Sequence, residues 1–503
     1  MKLRELLNKA NLTADGDFTD TEISDIVTDS RKADYGSMFV CISGGHSDGH
    51  KFIRRALLMG AVAIVVQNDV KVEIPPLYGE ITVIRCENTR RAAAMLYNVW
   101  YGCPSDKLKI IGVTGTNGKT SVTFILKSIF EAALYKCGVI GTVECLSGVR
   151  RIDASPESPL ANMTTPDPKE LYRTLAFMAA DGVDYVFMEV SSHALKLSKV
   201  DAIEFDTAIF TNLTPEHMDF HKDMEDYCES KSRLFRSSRR SIINADDAFC
   251  CKMINASAGK VYTYSAKGQN ADFLALDVSL SDNGLRYVLK SKNAIMKLKC
   301  SLKGLFNVDN TLCAAACALL YGISPSVIGC ALSSMASVKG RLERVKLPME
   351  CNFSIYIDYA HTPDALKNLL LSARGLCGES GRLTVLFGCG GDRDKEKRSV
   401  MGSIASSLAD KVIITSDNSR SEDAADIIAS IMTDFDRSTP HKVIEDRRTA
   451  IETAVNEAEA GEVILLSGKG HEKYEIDKWG KHPFDEYAIA LEAVRKRYER
   501  HGS

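Results

Sequence analysis

Residues 110–123 read IIGVTGTNGKTSVT, an apolar run that breaks into glycines and then into a helix-forming segment. The pattern predicts a buried strand over 109–113, a tight turn through Gly115, Thr116, Asn117 and Gly118, and a helix beginning near Lys119. Such a turn lets backbone N–H groups close around phosphate oxygens, and the helix N-terminus adds its partial positive charge. Lys119 would neutralise the terminal phosphates, the Thr120 hydroxyl would serve Mg²⁺, and Ser121 continues the loop into the helix. The plainer alternative is an ordinary glycine-rich strand-to-helix turn. The common G-x-x-x-x-G-K spacing would place glycine at 113, where this chain has Val113.

A strand feeding a phosphate loop implies an α/β sheet, and at 503 residues the chain is too long for one core. Residues 1–103 alternate short β-branched runs (61–66 and 81–84) with helix-like segments (51–59 and 88–101), a small α/β unit behind an amphipathic N-terminal helix. A turn-like Cys103-Pro104-Ser105 leads into the central region, residues 104–337, with further strands near 184–190 and 206–211 and a helix near 309–321. Residues 338–503 repeat one pattern: an apolar strand ends in a polar, glycine-rich loop, as in IYIDYAHTPD, LTVLFGCGGDRD, VIITSDNSR and VILLSGKGHE. The expectation is α/β with three domains: a small N-terminal unit, a central mostly parallel P-loop-type sheet and a C-terminal Rossmann-like domain. Ligands should sit at the carboxyl ends of the strands.

The formal net charge of -3, with acids and bases interleaved, gives no electrostatic case for nucleic acid or an anionic membrane. No signal-peptide pattern or spanning apolar run is present, so a cytosolic, cytoplasmic protein is expected. The 15 cysteines contain no C-x-x-C pair, and Cys313 and Cys317 lie one turn apart in an Ala-rich helix. Reduced, mostly buried thiols are expected rather than disulfides or a zinc site.

Two further stretches carry ligand chemistry. Glu189 ends the strand DYVFMEV and is followed by SSHAL, and TNLTPEHMDFH clusters His217, Asp219 and His221. Carboxylate, imidazole and loop hydroxyl together are plausible Mg²⁺ ligands beside ATP phosphates, although each alone could be structural. Lys231 shares a helix face with Tyr227 and Phe235. Either its stem packs while the ammonium reaches water, or its pKa is lowered and the amine can take up CO₂ as a carbamate.

The motifs GTNGKT, MEVSSHAL, NLTPEHMDFH, YCESK, KGLFNVDN, KGRLERV, DYAHTPDAL, FGCGGDRDKEKR, SDNSR and SGKGHE occur in one order along nearly the whole chain. In that order they resemble the Mur ligase family, whose compact TGTNGKT loop also matches the departure at Val113. The resemblance implies an ATP-dependent, amide-forming ligase using Mg²⁺ and acting on a UDP-N-acetylmuramoyl-peptide through an acyl phosphate. Among its members, the segment DSRKADYGSMFVCISGGHSDGH and TTPDP at 164–168 point to addition of the third residue to UDP-N-acetylmuramoyl-dipeptide.

Carried over by position, Lys119 would bind ATP phosphates, and Thr120, Glu189 and His217 would serve Mg²⁺ with Lys231 as a carbamate. Asn307 would contact adenine, Arg341 the phosphates and Asp358 the ribose. Ser30 and His46 would lie in the uridine pocket, and Thr164, Thr165 and Ser191 toward the diphosphate and muramoyl group. Lys199 stands where the family usually has arginine, which keeps the charge but not the bidentate fork. Asp417, Asn418 and Arg420 of DNSR, with Gly468, Glu472 and Arg393, would form the amino-acid pocket. This favours meso-diaminopimelate over L-lysine, although Ser419 replaces the usual proline of DNPR. Asp219 and His361 are open candidates for a general base. The rival readings are the D-Ala-D-Ala-adding ligase, folylpolyglutamate synthetase and a non-catalytic nucleotide-binding paralogue. A monomer whose domains close on ATP is expected.

Overall fold

A computed structural model describes the chain except residues 16–17, 45–46, 153–162, 282–283, 379–380 and 502–503. His46 therefore lies outside the described residues. Three larger sheets and a two-stranded ribbon, Tyr474–Asp477 with Gly480–Pro483, organise the rest.

The first sheet has four parallel strands in sequence order: Ile26–Val27, Met38–Val40, Ala63–Gln67 and Thr82–Cys86. The helix Thr89–Trp100 starts where the Asn88 side chain accepts from the Arg90 and Arg91 amides, satisfying two of the donors a helix N-terminus leaves over. Between 51 and 59, a 3₁₀ turn (Gly49–Phe52) runs into a short helix, Ile53–Leu58. One apolar cluster continues from Leu6, Val65 and Leu96 into Leu171, Met178 and Val186 of the central region. The first unit is thus docked on the second through shared core.

The central sheet has eleven strands. Its middle is parallel, as the strand–helix alternation predicts, but both edges are antiparallel. The hairpins Phe273–Ser281, Gly284–Ser291 and Ile295–Cys300 form one edge, and Cys145–Ser147 with Arg150–Arg151 form the other. Buried and exposed residues alternate strictly along Ile295–Cys300, as expected of a strand with one wet face. The phosphate-loop strand Lys109–Thr114 lies between Tyr185–Glu189 and Thr207–Phe210, with Val113 opposite Glu189 and Thr114 opposite Phe210. That register brings the carboxyl ends of three strands to one point. The helix Lys119–Ala132 packs against Phe306–Leu320. Cys313 and Cys317 are fully buried there, and burial pushes both thiols well up, so they behave as small apolar groups.

The C-terminal sheet orders Glu343–Arg344, Ser354–Asp358, Val463–Ser467, Leu383–Phe387, Lys411–Ile414 and His441–Val443, all parallel except the first pairing. Beneath its loop end, Arg447 is 1% exposed. Its Nε donates to Glu486 Oε1 at 2.8 Å, Nη1 to Ser416 O at 3.0 Å and Nη2 to Ser467 O at 2.8 Å. One guanidinium therefore ties together the two strand ends that carry Asp417–Arg420 and Gly468–Glu472. Arg447→Met should cost about 3–5 kcal/mol, because it strands the buried Glu486 carboxylate. A clear fall in the first thermal transition by calorimetry would register this, and an unchanged midpoint would refute it.

Candidate active site

The phosphate loop is built by two glycines in conformations that side chains rarely adopt: Gly115 at φ 150° and Gly118 at φ 89°. A Cβ on Gly118 would also meet Asn310 Oδ1 at 2.5 Å. The loop is cross-tied to the next strand end, where Asn117 N donates to Asn212 Oδ1 at 2.9 Å and Thr211 Oγ1 donates to Asn117 O at 2.6 Å. Lys119 Nζ curls back onto the carbonyls of Gly115 (2.9 Å) and Thr116 (2.7 Å). Burial lowers its pKa, while Glu216 and Glu189 oppose the shift.

Lys231 reaches the same Gly115 carbonyl from behind, at 2.8 Å, with its ammonium 4.6 Å from the centre of the Tyr227 ring. The side chain is buried and does not reach water, so the snorkelling alternative does not describe it. Burial first, and then the nearby Lys119, hold its pKa well below the usual lysine value.

Thr120, Glu189 and His217 line one cavity of about 720 Å³ together with Lys119. Glu189 is buried, and its carboxylate accepts from the Thr142 amide and hydroxyl, both at 3.0 Å. His217 sits at φ 60°, a strained value for a residue with a side chain. Among the described residues, no three His, Cys, Asp or Glu side chains are grouped to hold a metal ion.

The sequence reading missed Glu216. Its Oε1 lies 3.2 Å from His361 Nε2 and its Oε2 3.7 Å from His217 Nε2. Burial raises its pKa, but His217, His361 and Lys119 more than offset this and hold it well below the carboxylate range. His217 is its neighbour in sequence, but its other partner His361 is 145 residues away, and no spacing along the chain predicts that the two meet. His361 lines the cavity, whereas Asp219 is exposed and does not.

The C-terminal unit closes the cavity. Arg341 Nη2 donates to Thr120 Oγ1 at 3.0 Å, and Asn117 Nδ2 donates to Asp364 Oδ2 at 3.1 Å. Asp358 accepts from the amides of Leu342 (2.6 Å) and Ala360 (2.7 Å), and burial raises its pKa. Asn307 stands behind the wall rather than in it. Its Nδ2 donates to Lys303 O at 2.7 Å, and its Oδ1 accepts from Asn310 Nδ2 at 2.9 Å. Asn310 and Asp309 line the cavity instead.

Toward the first unit, Thr165 Oγ1 donates to the Glu189 carbonyl at 2.9 Å and accepts from Ser191 N at 3.0 Å. Ser191 caps the helix Ser192–Lys196, and Thr164 Oγ1 lies 3.1 Å from Thr142 Oγ1. These residues extend from the Glu189 strand end, so they adjoin the cavity. Lys199 is paired with Asp167 at 2.7 Å. Ser30 is buried in the turn Ser30–Lys32, away from the cavity wall.

The loops after Lys411–Ile414 and Val463–Ser467 form a second charged centre. Asn418 Nδ2 donates to Glu472 Oε2 at 2.9 Å, while its Oδ1 accepts from the buried Lys469 at 3.0 Å. Gly468 is at φ 116°, and a Cβ there would meet Asp417 Oδ2 at 2.6 Å. Burial pushes Asp417 up, but Lys469 and Arg447 bring it below its usual value. Glu472 is raised by burial and then by Asp417. Arg420, at φ 52°, donates to Gly391 O at 2.7 Å; burial, and then Arg393, lower its pKa. Its loop is held without proline at 419: Glu422 accepts from Arg398 at 2.9 Å, and Ser421 Oγ donates to Asp392 at 2.7 Å. Lys469 and Arg447 were not foreseen, because nothing in their local sequence separates a buried cation from a surface one.

Three family models match in succession: "Mur ligase family, catalytic domain" at residues 22–104, "Mur ligase middle domain" at 113–318, and "Mur ligase, glutamate ligase domain" at 340–470. The UDP-N-acetylmuramoyl-L-alanyl-D-glutamate--2,6-diaminopimelate ligase of Clostridium botulinum is 40% identical over 475 residues, covering 94% of this chain and 96% of that one. Its namesake from Clostridium tetani is 40% identical over 498 residues, covering 99% and 100%. A solved structure of an enzyme of that name aligns with TM-score 0.68 and 28% identity over 99% of this chain and 100% of its own. The MurF ligase of Thermotoga maritima, solved with ADP, shares the fold at TM-score 0.58 and 17% identity, covering 95% and 97%. No helix among the described residues is long and apolar enough to cross a membrane.

Proposed function

The chain belongs to the Mur ligase family, and from that premise we propose that it joins meso-diaminopimelate to UDP-N-acetylmuramoyl-L-alanyl-D-glutamate with consumption of ATP. The observation that carries the choice of amino acid is the state of Arg420. Its guanidinium is desolvated and repelled by Arg393, while Asp417 and Glu472 stand close by. A ligand end bearing both a carboxylate and an ammonium relieves each side of that centre. Lysine offers only the ammonium at that end and brings no carboxylate to Arg420.

The dipeptide carboxylate attacks the γ-phosphorus of ATP, releasing ADP and forming an acyl phosphate. The amino acid's free amine then attacks the acyl carbon, and phosphate leaves with the C–O bond electrons and takes up the proton that the amine loses. No enzymic nucleophile is needed. The protein positions the reactants and offsets the charge on the transferred group, chiefly through Lys119. Glu189, His217 and the Thr120 hydroxyl supply donors of the kind Mg²⁺ takes when phosphates and water complete its shell. The ion would neutralise phosphate charge. Lys231 as a carbamate would add a carboxylate behind the loop. On this reading residues 1–103 hold the uridine end, 104–337 the ATP and 338–503 the amino acid.

Phosphate release with the UDP-dipeptide, ATP and Mg²⁺, run separately with meso-diaminopimelate and L-lysine, tests the assignment. Release with meso-diaminopimelate alone is expected, and release with lysine alone would overturn the amino-acid assignment. Arg420→Ala should raise KM for meso-diaminopimelate about 10–100-fold, the worth of a charged hydrogen-bond pair, and leave KM for ATP unchanged.

A further inference from the structure

Of the half-buried or exposed thiols Cys86, Cys103, Cys250, Cys251, Cys330 and Cys351, only Cys250 and Cys251 are neighbours in the chain. They open the helix Cys250–Ala256, and their sulfurs stand 3.9 Å apart. Their backbone is held in place. Cys250 N donates to Asp247 O at 3.1 Å, the buried Met253 anchors the helix one turn on, and Lys252 pairs with Glu225 of the helix Met224–Arg236. Cys251 is exposed and Cys250 half-buried, so solvent reaches the pair. Neither lines the 720 Å³ cavity.

Two sulfurs at that distance are not bonded, and adjacency in the chain works against bonding them. Consecutive Cα atoms are about 3.8 Å apart across a trans peptide, short of the roughly 4.4–6.8 Å that disulfides take. A single atom between the sulfurs removes that conflict. A soft centre about 2.3 Å from each sulfur, the length of a zinc–thiolate bond, spans about 3.5–3.8 Å at bond angles from about 100° to tetrahedral. The pair is already close to that spacing. No third His, Cys, Asp or Glu is grouped with it among the described residues, so a centre that needs four protein ligands, as structural zinc does, is not matched.

We propose that Cys250 and Cys251 form a dithiol site for trivalent arsenicals, soft three-coordinate centres whose third position is filled by their own substituent. Thiolates are the protein ligands that soft centres select. With phenylarsine oxide two As–S bonds form, the two thiol protons combine with the arsenic-bound oxygen, and one water leaves. Arsenic stays trivalent throughout, so no oxidant or reductant takes part. Once the first sulfur is bonded, the second is held beside it at a high effective concentration, which separates this pair from the single thiols Cys330 and Cys351.

Phenylarsine oxide titrated into the reduced full chain, followed by calorimetry and intact-mass spectrometry, should bind as one equivalent. Its affinity should be about a hundredfold higher than for Cys250→Ser or Cys251→Ser, with thermal melting as the check that both variants are folded. The wild-type adduct should be removed by 2,3-dimercaptopropanol, itself a chelating dithiol, and survive 2-mercaptoethanol at the same thiol concentration. Equal affinity in the wild type and either folded variant would overturn the proposal. So would removal of the wild-type adduct by the monothiol, a readout that needs no variant.

Discussion

Lys119→Met should lower kcat about a thousandfold without loss of fold, the scale seen when a preorganised charge at the reacting centre is removed. Methionine keeps the apolar stem and removes the ammonium, which among the described residues is bonded to the loop carbonyls of Gly115 and Thr116. Thr116 lines the cavity, and the Gly115 carbonyl keeps its bond from Lys231. The other consequence concerns Lys231, whose pKa Lys119 helps to lower. With that repulsion gone, the Lys231 pKa should rise and its capacity to hold CO₂ should fall. Steady-state phosphate release, thermal melting and ¹³C NMR with labelled bicarbonate read the three effects. A folded variant within tenfold of wild-type kcat would remove Lys119 from the chemistry.

The second large effect belongs to Lys231. Lys231→Ala should also cost on the order of a hundredfold or more in kcat, since the carboxylate its carbamate would supply disappears. The sign of the pH dependence follows from the depressed pKa. Above that pKa the amine is neutral and reacts with CO₂; as the pH falls through it, protonation removes the nucleophile. Activity of CO₂-depleted enzyme should therefore recover on adding bicarbonate at neutral or higher pH, and less so as the pH is lowered. A carbamate resonance in the wild type, absent from Lys231→Ala, identifies the site. Full activity after CO₂ depletion would show that Lys231 acts as an amine or only structurally.

What the sequence determined by itself is what depends on neighbours along the chain. The phosphate loop follows from an apolar strand, two glycines and a helix start within a few residues, and Gly115 and Gly118 take the positive φ values that the turn demands. The alternation of strands and helices gives the α/β class and places the polar loops at strand ends. The helix face shared by Lys231, Tyr227 and Phe235 likewise follows from a period of 3.6, and the ring contact bears it out. The antiparallel edges of the central sheet were less legible, because a hairpin and a crossover can use similar apolar runs.

Tertiary structure alone decided which charges meet. Glu216 has His217 beside it in sequence, but His361 comes from another sheet and Lys119 from the phosphate loop, and only the fold brings these to the carboxylate and holds its pKa low. Burial likewise separates Asn307, held behind the cavity wall, from Asp309, which lines it two positions further along the same helix. Arg447 lies in no motif, and nothing in SGKGHE marks Lys469 as buried, yet both fix the loops around Asp417 and Glu472 from beneath. Sequence records which groups a chain possesses. Their pKa values, partners and free valences are set by distance and desolvation, and those exist only once the chain has folded.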